Sequence, residues 1–423
     1  MAKKHLHPST LYADDEGNIF DAPGLSMLCR RGRTLAPPRP DELIPLPPGS
    51  DVFLLPGRNA VGLDPETGRV EGLDERAVTA FVCPGYTLSA TAAFLKQEKT
   101  CRLPLFAYGA VGFANGRFYV TAKRVDTDPR QDFTRISEKR IRAGATRWLS
   151  RFPENRLVHH LSRCALTYGC PAAKNLALGR YEAPLPTSRV CNASCVGCIS
   201  QQPDDSGFPA TQNRISFLPS SHEIVEIMLT HEKAASKPIY SFGQGCEGEP
   251  LTEADRISEA ISLFRAEKGT GTVNMNTNGS IPRMIPKLAA SGLDSFRVSL
   301  NSARPELYLP YYRPKGFGFG EVRSFLTQVK ESSLFLSLNY LFSPGVNDTE
   351  EELAGLLDLL LETRPDLIQL RNLNLDPDLY LDLVPDPGPS MGLANFMRRI
   401  KKECPWIRFG YFNPFVDREN LES

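Results

Sequence analysis

Long apolar runs are missing from this sequence. No stretch approaches the ~20 consecutive apolar residues of a membrane-spanning helix, so a membrane is not expected among its partners. Net charge is missing too: 49 lysines and arginines face 49 aspartates and glutamates. No long-range field therefore recruits nucleic acid or an anionic surface. Lys139, Arg140, Arg142 and Arg147 make a local basic stretch whose simplest reading is a solvated helix face. Behind the opening "MAKKHLHPST" there is no apolar segment of a secretory signal. A cytoplasmic location is expected, where thiols stay reduced. The six histidines show no metal-ligand spacing, and neither a short-period repeat nor a low-complexity tract is present.

What the chain does have is cysteine. Ten of them in a reducing compartment point to metal or redox chemistry more than to disulfides. Cys29, Cys83, Cys101 and Cys404 are scattered and read as small buried hydrophobes. Cys191, Cys195 and Cys198, in "CNASCVGC", are spaced C-x3-C-x2-C. A structural zinc site uses four ligands, and this run offers three.

The chain changes character near residue 185. Residues 1–44, with "APPRPDELIPLPP", read as an extended arm. Residues 45–130 read as a small β-rich domain in which "FANGRFYV" marks a hairpin through its Asn-Gly pair. Residues 131–185 read as a helical connector. From 186 to 380, strand-like runs alternate with helical ones. The strands are "TSRVC" (187–191), "PIYSFG" (238–243), "TVNMNT" (272–277), "SFRVSL" (295–300), "LFLSLNYL" (334–341) and "LIQLRNL" (367–373). Ser220 with Glu223 and Thr252 with Asp255 mark helix starts between them, and Asp348 reads as a third N-cap. Residues 381–423 supply a closing helix and strand. The fold class is α/β: a partial (β/α)6-type parallel barrel, a relative of the TIM barrel, preceded by a smaller β-rich domain.

In such barrels the chemistry sits where strands end. The three cysteines fall on the first strand-to-helix loop. Three thiolates on a four-iron cluster leave one iron open to an outside ligand, as a catalytic zinc keeps one position open. This motif on this loop resembles the radical S-adenosylmethionine (SAM) superfamily. The resemblance implies a [4Fe–4S] cluster on Cys191, Cys195 and Cys198. It also implies SAM on the open iron and reductive cleavage to methionine and a 5′-deoxyadenosyl radical. "FGQGCEGEPL" (242–251) resembles the family's Gly-Gly-Glu-Pro motif through Gly248, Glu249 and Pro250, with Glu249 accepting from the SAM ammonium. "NMNTNGS" (274–280) would turn Asn276 and Asn278 to the cofactor. "RVSLNS" (297–302) would place Ser299 and Asn301 on the ribose, and "IQLRNLN" (368–374) would set Leu370 beside adenine. One position departs from the pattern. Many members carry an aromatic just before the third cysteine, where this chain has Gly197, so adenine must pack on something else.

Cys246 would lie near the SAM pocket, where a thiol can quench a substrate radical; the bland reading is a small residue in a tight turn. Cys164, Cys170 and Cys246 are candidates for an auxiliary iron–sulfur cluster, with simple packing as the alternative. Tyr311, Tyr312 and Arg313 follow the fourth strand as substrate contacts or an aromatic lid. The expected enzyme acts on an unidentified substrate. A peptide or protein, as in a maturase, stands beside RNA and small molecules, with an electron donor such as flavodoxin or ferredoxin. The reading from another class is a non-catalytic metal-binding interaction protein. It would need a fourth ligand, and no histidine or cysteine follows Cys198 before His222.

Overall fold

The computed structural model describes residues 6–417. Its N-terminal part is a nine-stranded sheet that includes Ser9–Ala13, Ile19–Met27, Asp51–Leu63, Val70–Phe81, Val111–Ala114 and Arg117–Arg124. All the pairings among these six strands are antiparallel. The segment read as an extended arm is mostly sheet: Ser9–Ala13 pairs with Ile19–Met27 and with Val111–Ala114. Its prolines mislead because Pro37, Pro38 and Pro40 lie in the turn after the strand Thr34–Ala36, outside the ladders. Asn115 and Gly116 do form the hairpin turn, both with positive φ (49° and 72°), the backbone that twists two strands together. Helices Glu138–Arg151, Arg156–Leu166 and Pro171–Leu178 then pack on one another. The basic side chains Lys139, Arg140, Arg142 and Arg147 are exposed on the first of them.

The second part is a seven-stranded parallel sheet in sequence order. Its strands are Glu182–Pro184, Ile239–Phe242, Thr272–Thr277, Ser295–Leu300, Phe335–Phe342, Leu367–Asn372 and Arg408–Gly410. The two ends approach each other where Asn413, just past the last strand, donates to Glu182 on the first (3.1 Å). "TSRVC" is not a strand. The first strand ends at Pro184, and the amides of Thr187 and Ser188 turn to the Glu247 carboxylate instead of a neighbouring strand (2.7 and 2.9 Å).

Local chemistry sets the helix starts. Ser220 and Glu223 close a reciprocal capping box on Ser221–Glu232. Thr349, not Asp348, caps Glu350–Thr363, while Asp348 is buried against Gly345, Ser390 and Gly392. Thr252 is likewise not a cap; it lies in a 3-10 turn that starts from Glu249 and leads into Ala254–Ala266. The outward faces of the strands and the inward faces of these helices share one large core, including Ile227, Ile261, Phe264, Phe325, Leu360 and Phe396.

The N-terminal sheet sits over the C-terminal edge of the barrel strands. Leu88 N–H donates to Asn372 at the end of the sixth strand (2.8 Å), and Gly32 N–H to Pro344 just past the fifth (3.0 Å). Arg102 reaches Ser206, beyond the cysteine loop (2.7 Å). A fully buried ion pair, Arg58–Asp376 (3.0 Å), pins the contact, and Asp376 also accepts from Leu103 N–H (2.8 Å). No helix is long and apolar enough to cross a membrane among the described residues.

Candidate functional site

Two loops build the site. After the first strand the chain runs extended to Cys191, held by Glu247 from the loop after the second strand. Glu247 accepts from Thr187, Ser188 and Gln244 backbone amides. A short ladder follows: Gly248 N–H donates to Ser188 (2.7 Å) and Glu249 N–H to Val190 (2.8 Å). A Cβ on Gly248 would meet the Val190 carbonyl oxygen at 1.8 Å, so only glycine permits this approach. The far end of the cysteine loop hangs on the helix Pro305–Tyr312, through Ser194 N–H to Tyr312 and Val196 N–H to Tyr311 (3.1 and 2.9 Å).

Cys191, Cys195 and Cys198 line a cavity of about 290 Å³ at this edge of the barrel, together with Gly248, Glu249, Pro250, Asn276, Asn278 and Ser299. Burial pushes the Cys191 thiol up to about 11 and raises the Cys195 thiol well above its ordinary value, so these two keep their protons until a metal replaces them. Their sulfurs do not all lie within 4.8 Å of one another. That is looser than the donor set of one tetrahedral ion, and it suits thiolates carried on separate irons. Arg214, which the motifs did not flag, points Nη2 at Cys198 Sγ (3.5 Å). Gln202 ties the carbonyls of Val196 and Cys198 (3.0 and 2.6 Å).

Glu249 is buried, and its Oε1 accepts from Thr277 Oγ1 (2.5 Å) and Leu251 N–H (3.1 Å). Oε2 accepts from Asn278 N–H alone (2.9 Å), which leaves it a free lone pair. Desolvation raises this carboxyl to about 7 against those three donors. Asn278 ties the third loop to the first through Asn192 (2.8 Å). The missing aromatic at Gly197 also has a structural counterpart. A Cβ at Gly197 would stand 2.5 Å from the Tyr311 hydroxyl, so Tyr311 fills that space from another element and lines the cavity with Tyr312.

Four of the expected residues are not brought to the cavity, and one of them, Arg313, is exposed with its Nε on the Pro310 carbonyl (3.3 Å). Cys246 is buried on the opposite side of its loop, against His160 and Cys164, and does not line the cavity. Asn301 follows the end of its strand at Leu300, so the alternation that puts Ser299 inward stops short of it. Its amide nitrogen donates to Leu307 and Tyr380, and its Oδ1 is buried without a partner. Leu370 has the wrong parity: Gln369 and Arg371 face the lumen, and Leu370 points away.

The same parity exposes what motif reading missed. Arg297, two residues before Ser299, enters the cavity with Asn339. Its Nη1 donates to Gln369 (3.2 Å) and its buried Nε has no partner. Burial first, and then Arg371, pushes its pKa down to about 9. The Oδ1 of Asn339 is also buried without a partner. The strand alternation of "SFRVSL" was the available signal.

With the geometry in place, residues 185–357 match the Radical SAM superfamily. Molybdenum cofactor biosynthesis protein 1 of Homo sapiens is 30% identical over 144 residues, 33% of this chain and 21% of that protein. GTP 3′,8-cyclase of Limosilactobacillus fermentum is 25% identical over 197 residues, 44% of this chain and 52% of the cyclase. This chain thus spans from about a fifth to about half of the curated relatives it matches. Among solved structures, HydG, a maturase of the [FeFe]-hydrogenase, superposes with a TM-score of 0.40 at 13% identity, covering 67% of each chain.

Proposed function

Because residues 185–357 are a radical SAM domain, we propose that this protein is an enzyme of radical SAM chemistry centred on the cavity between the first two loops. The observation that carries this reading is the convergence on one cavity of Cys191, Cys195, Cys198 and Glu249, with Asn276, Asn278 and Ser299 beside them. The three thiolates would hold a [4Fe–4S] cluster, and the side chains beside them would hold SAM. When bound, that pair supplies one-electron cleavage of the sulfonium to methionine and a 5′-deoxyadenosyl radical. Oε2 of Glu249 is free to accept from an ammonium, and the glycine at 248 lets backbone approach without a side chain in the way. Tyr311 offers an aromatic wall in place of the residue absent at 197. The N-terminal part docks beside the strand ends, through Leu88 on Asn372 and Arg102 on Ser206.

For the substrate, a peptide or protein segment is the first reading, since the sheet that covers the barrel mouth is a surface along which a chain can lie. A small anionic molecule is the second, favoured by the unpartnered Nε of Arg297 in the cavity wall. RNA suits a chain without net charge poorly. The electron would come from a flavodoxin or ferredoxin, and a cytoplasmic site of action suits ten unpaired cysteines.

Anaerobic reconstitution with iron and sulfide tests the reading. The wild-type protein should turn brown and, with SAM and a strong reductant, release 5′-deoxyadenosine and methionine. The variant Cys191→Ala/Cys195→Ala/Cys198→Ala should do neither. Full iron content in that variant, or a reduced, SAM-bound wild type that never yields 5′-deoxyadenosine, would overturn it.

A further inference from the structure

Away from the cavity, the helix Arg156–Leu166 carries His160 and Cys164 one turn apart on the same face. Cys246 meets them from the loop after the second barrel strand. His160 Nε2 stands 3.5 Å from Cys164 Sγ, and the donor atoms of all three residues lie within 4.8 Å of one another. No other group of three or more His, Cys, Asp or Glu side chains is so gathered among the described residues. Bonds of ~2.0–2.3 Å at tetrahedral angles put the ligands of a single ion about 3.3–3.8 Å apart, which is the scale of this cluster.

The donors are one imidazole and two thiols, a set for a thiophilic ion and not for calcium or magnesium. Cys164 and Cys246 are buried, and His160 is half-buried. Around the thiols stand Ile141, Ala165, Ala173 and Leu178. Cys170 packs in the same cluster at the start of Pro171–Leu178, its N–H on the Cys164 carbonyl (3.0 Å).

We propose that His160, Cys164 and Cys246 bind one Zn2+ ion. Binding replaces the thiol protons, which leave to solvent, and changes no oxidation state. The ion ties the connector helices to the loop that also carries Glu247 and Glu249. It thereby fixes a wall of the cavity without touching what the cavity holds. The inference does not depend on the reading of the cavity, because its residues and those of the cysteine loop are separate.

The full-length Cys191→Ala/Cys195→Ala/Cys198→Ala chain isolates the site from any iron–sulfur cluster. Titrated with Co2+ alone, it should take up one equivalent and show thiolate charge-transfer and tetrahedral d–d absorption, which one equivalent of Zn2+ should bleach. Adding Cys164→Ser should abolish the spectrum. Adding His160→Ala, a less buried change, should weaken binding at least tenfold while the fold survives by circular dichroism. A spectrum that ignores both changes, or cobalt lost on simple desalting, overturns the proposal. Iron and sulfide that enter this variant and depend on Cys164 would mark a second cluster here and overturn it equally. So would a metal-free loss of two thiols that Cys164→Ser prevents, the sign of a disulfide.

Discussion

Replacing Gly248 with alanine tests how tightly the two cavity loops are locked. The added Cβ would stand 1.8 Å from the Val190 carbonyl oxygen and 2.4 Å from its carbon. Both are backbone atoms, so no side chain can swing aside. Ordinary contact begins at 3.4 Å, which requires the segment ending at Cys191 to retreat by about 1.6 Å. The retreat breaks the bonds from Gly248 N–H to Ser188 and from Glu249 N–H to Val190. Each lost bond costs about 0.5–1.5 kcal/mol, and each buried group left unpaired about 1–3 kcal/mol. A loss of about 3–6 kcal/mol is expected, read as a lower melting temperature. Since Cys191 follows Val190, iron content after reconstitution should fall as well. Gly320→Ala is the control: nothing lies within 4 Å of its added Cβ in the helix Phe319–Glu331. Helix propensity there favours alanine by up to about 1 kcal/mol. Wild-type melting temperature and iron content in Gly248→Ala would refute the argument.

Glu249→Gln should weaken SAM binding about 5–30-fold by calorimetry with iron content unchanged, as a charge-assisted hydrogen bond becomes a neutral one, about 1–2 kcal/mol. Unaltered affinity would remove Glu249 from the ammonium. Asp376→Ala should cost about 3–5 kcal/mol, because it strands the fully buried Arg58 guanidinium. It should also open the junction between the sheet and the barrel to limited proteolysis, and the paired change Arg58→Met/Asp376→Leu should recover much of the loss. Glu352, holding Ser302, Ala303 and Tyr340, has its carboxyl raised by burial to about 7 from 4.5. The native state therefore holds a proton that the unfolded chain releases, and stability falls as pH rises from about 4.5 to 7. Glu352→Gln should flatten that part of the melting-temperature profile; an unchanged profile would mean Glu352 is ionised throughout.

Fold class was legible because strand-like runs alternate with helical runs in the sequence. "TVNMNT" and "SFRVSL" are strands at the very residues read. The C-x3-C-x2-C run and Gly248-Glu249 were legible for a different reason. They lie on loops whose backbone is fixed by local contacts, so sequence neighbours become spatial neighbours. Short edges were not legible. The first barrel strand spans only Glu182–Pro184, too short for a hydrophobic period, and the extended "TSRVC" behind it carried the stronger β propensity. Ser9–Ala13 was likewise hidden behind proline-rich neighbours.

The errors at the site have one physical root. A motif names residues in order, whereas a strand assigns them to faces by parity and only as far as the strand lasts. Ser299 and Arg297 share an inward parity, so a motif residue placed in the cavity wall implied a second, charged one that the motif did not contain. Asn301 has the same parity but lies beyond Leu300, where the chain turns and the amide nitrogen donates to Leu307 and Tyr380. Leu370 failed by a single step. Cys246 failed because its loop has two sides. The side facing the cavity is occupied by Gly245, Glu247 and Gly248, leaving the thiol to the helix behind. There it meets a histidine and a cysteine spaced four apart, a helical pair visible in the sequence as H-x3-C but meaningless until the fold brings a third donor to it. The residue that failed as a radical quencher is thus the one that completes a metal-binding set.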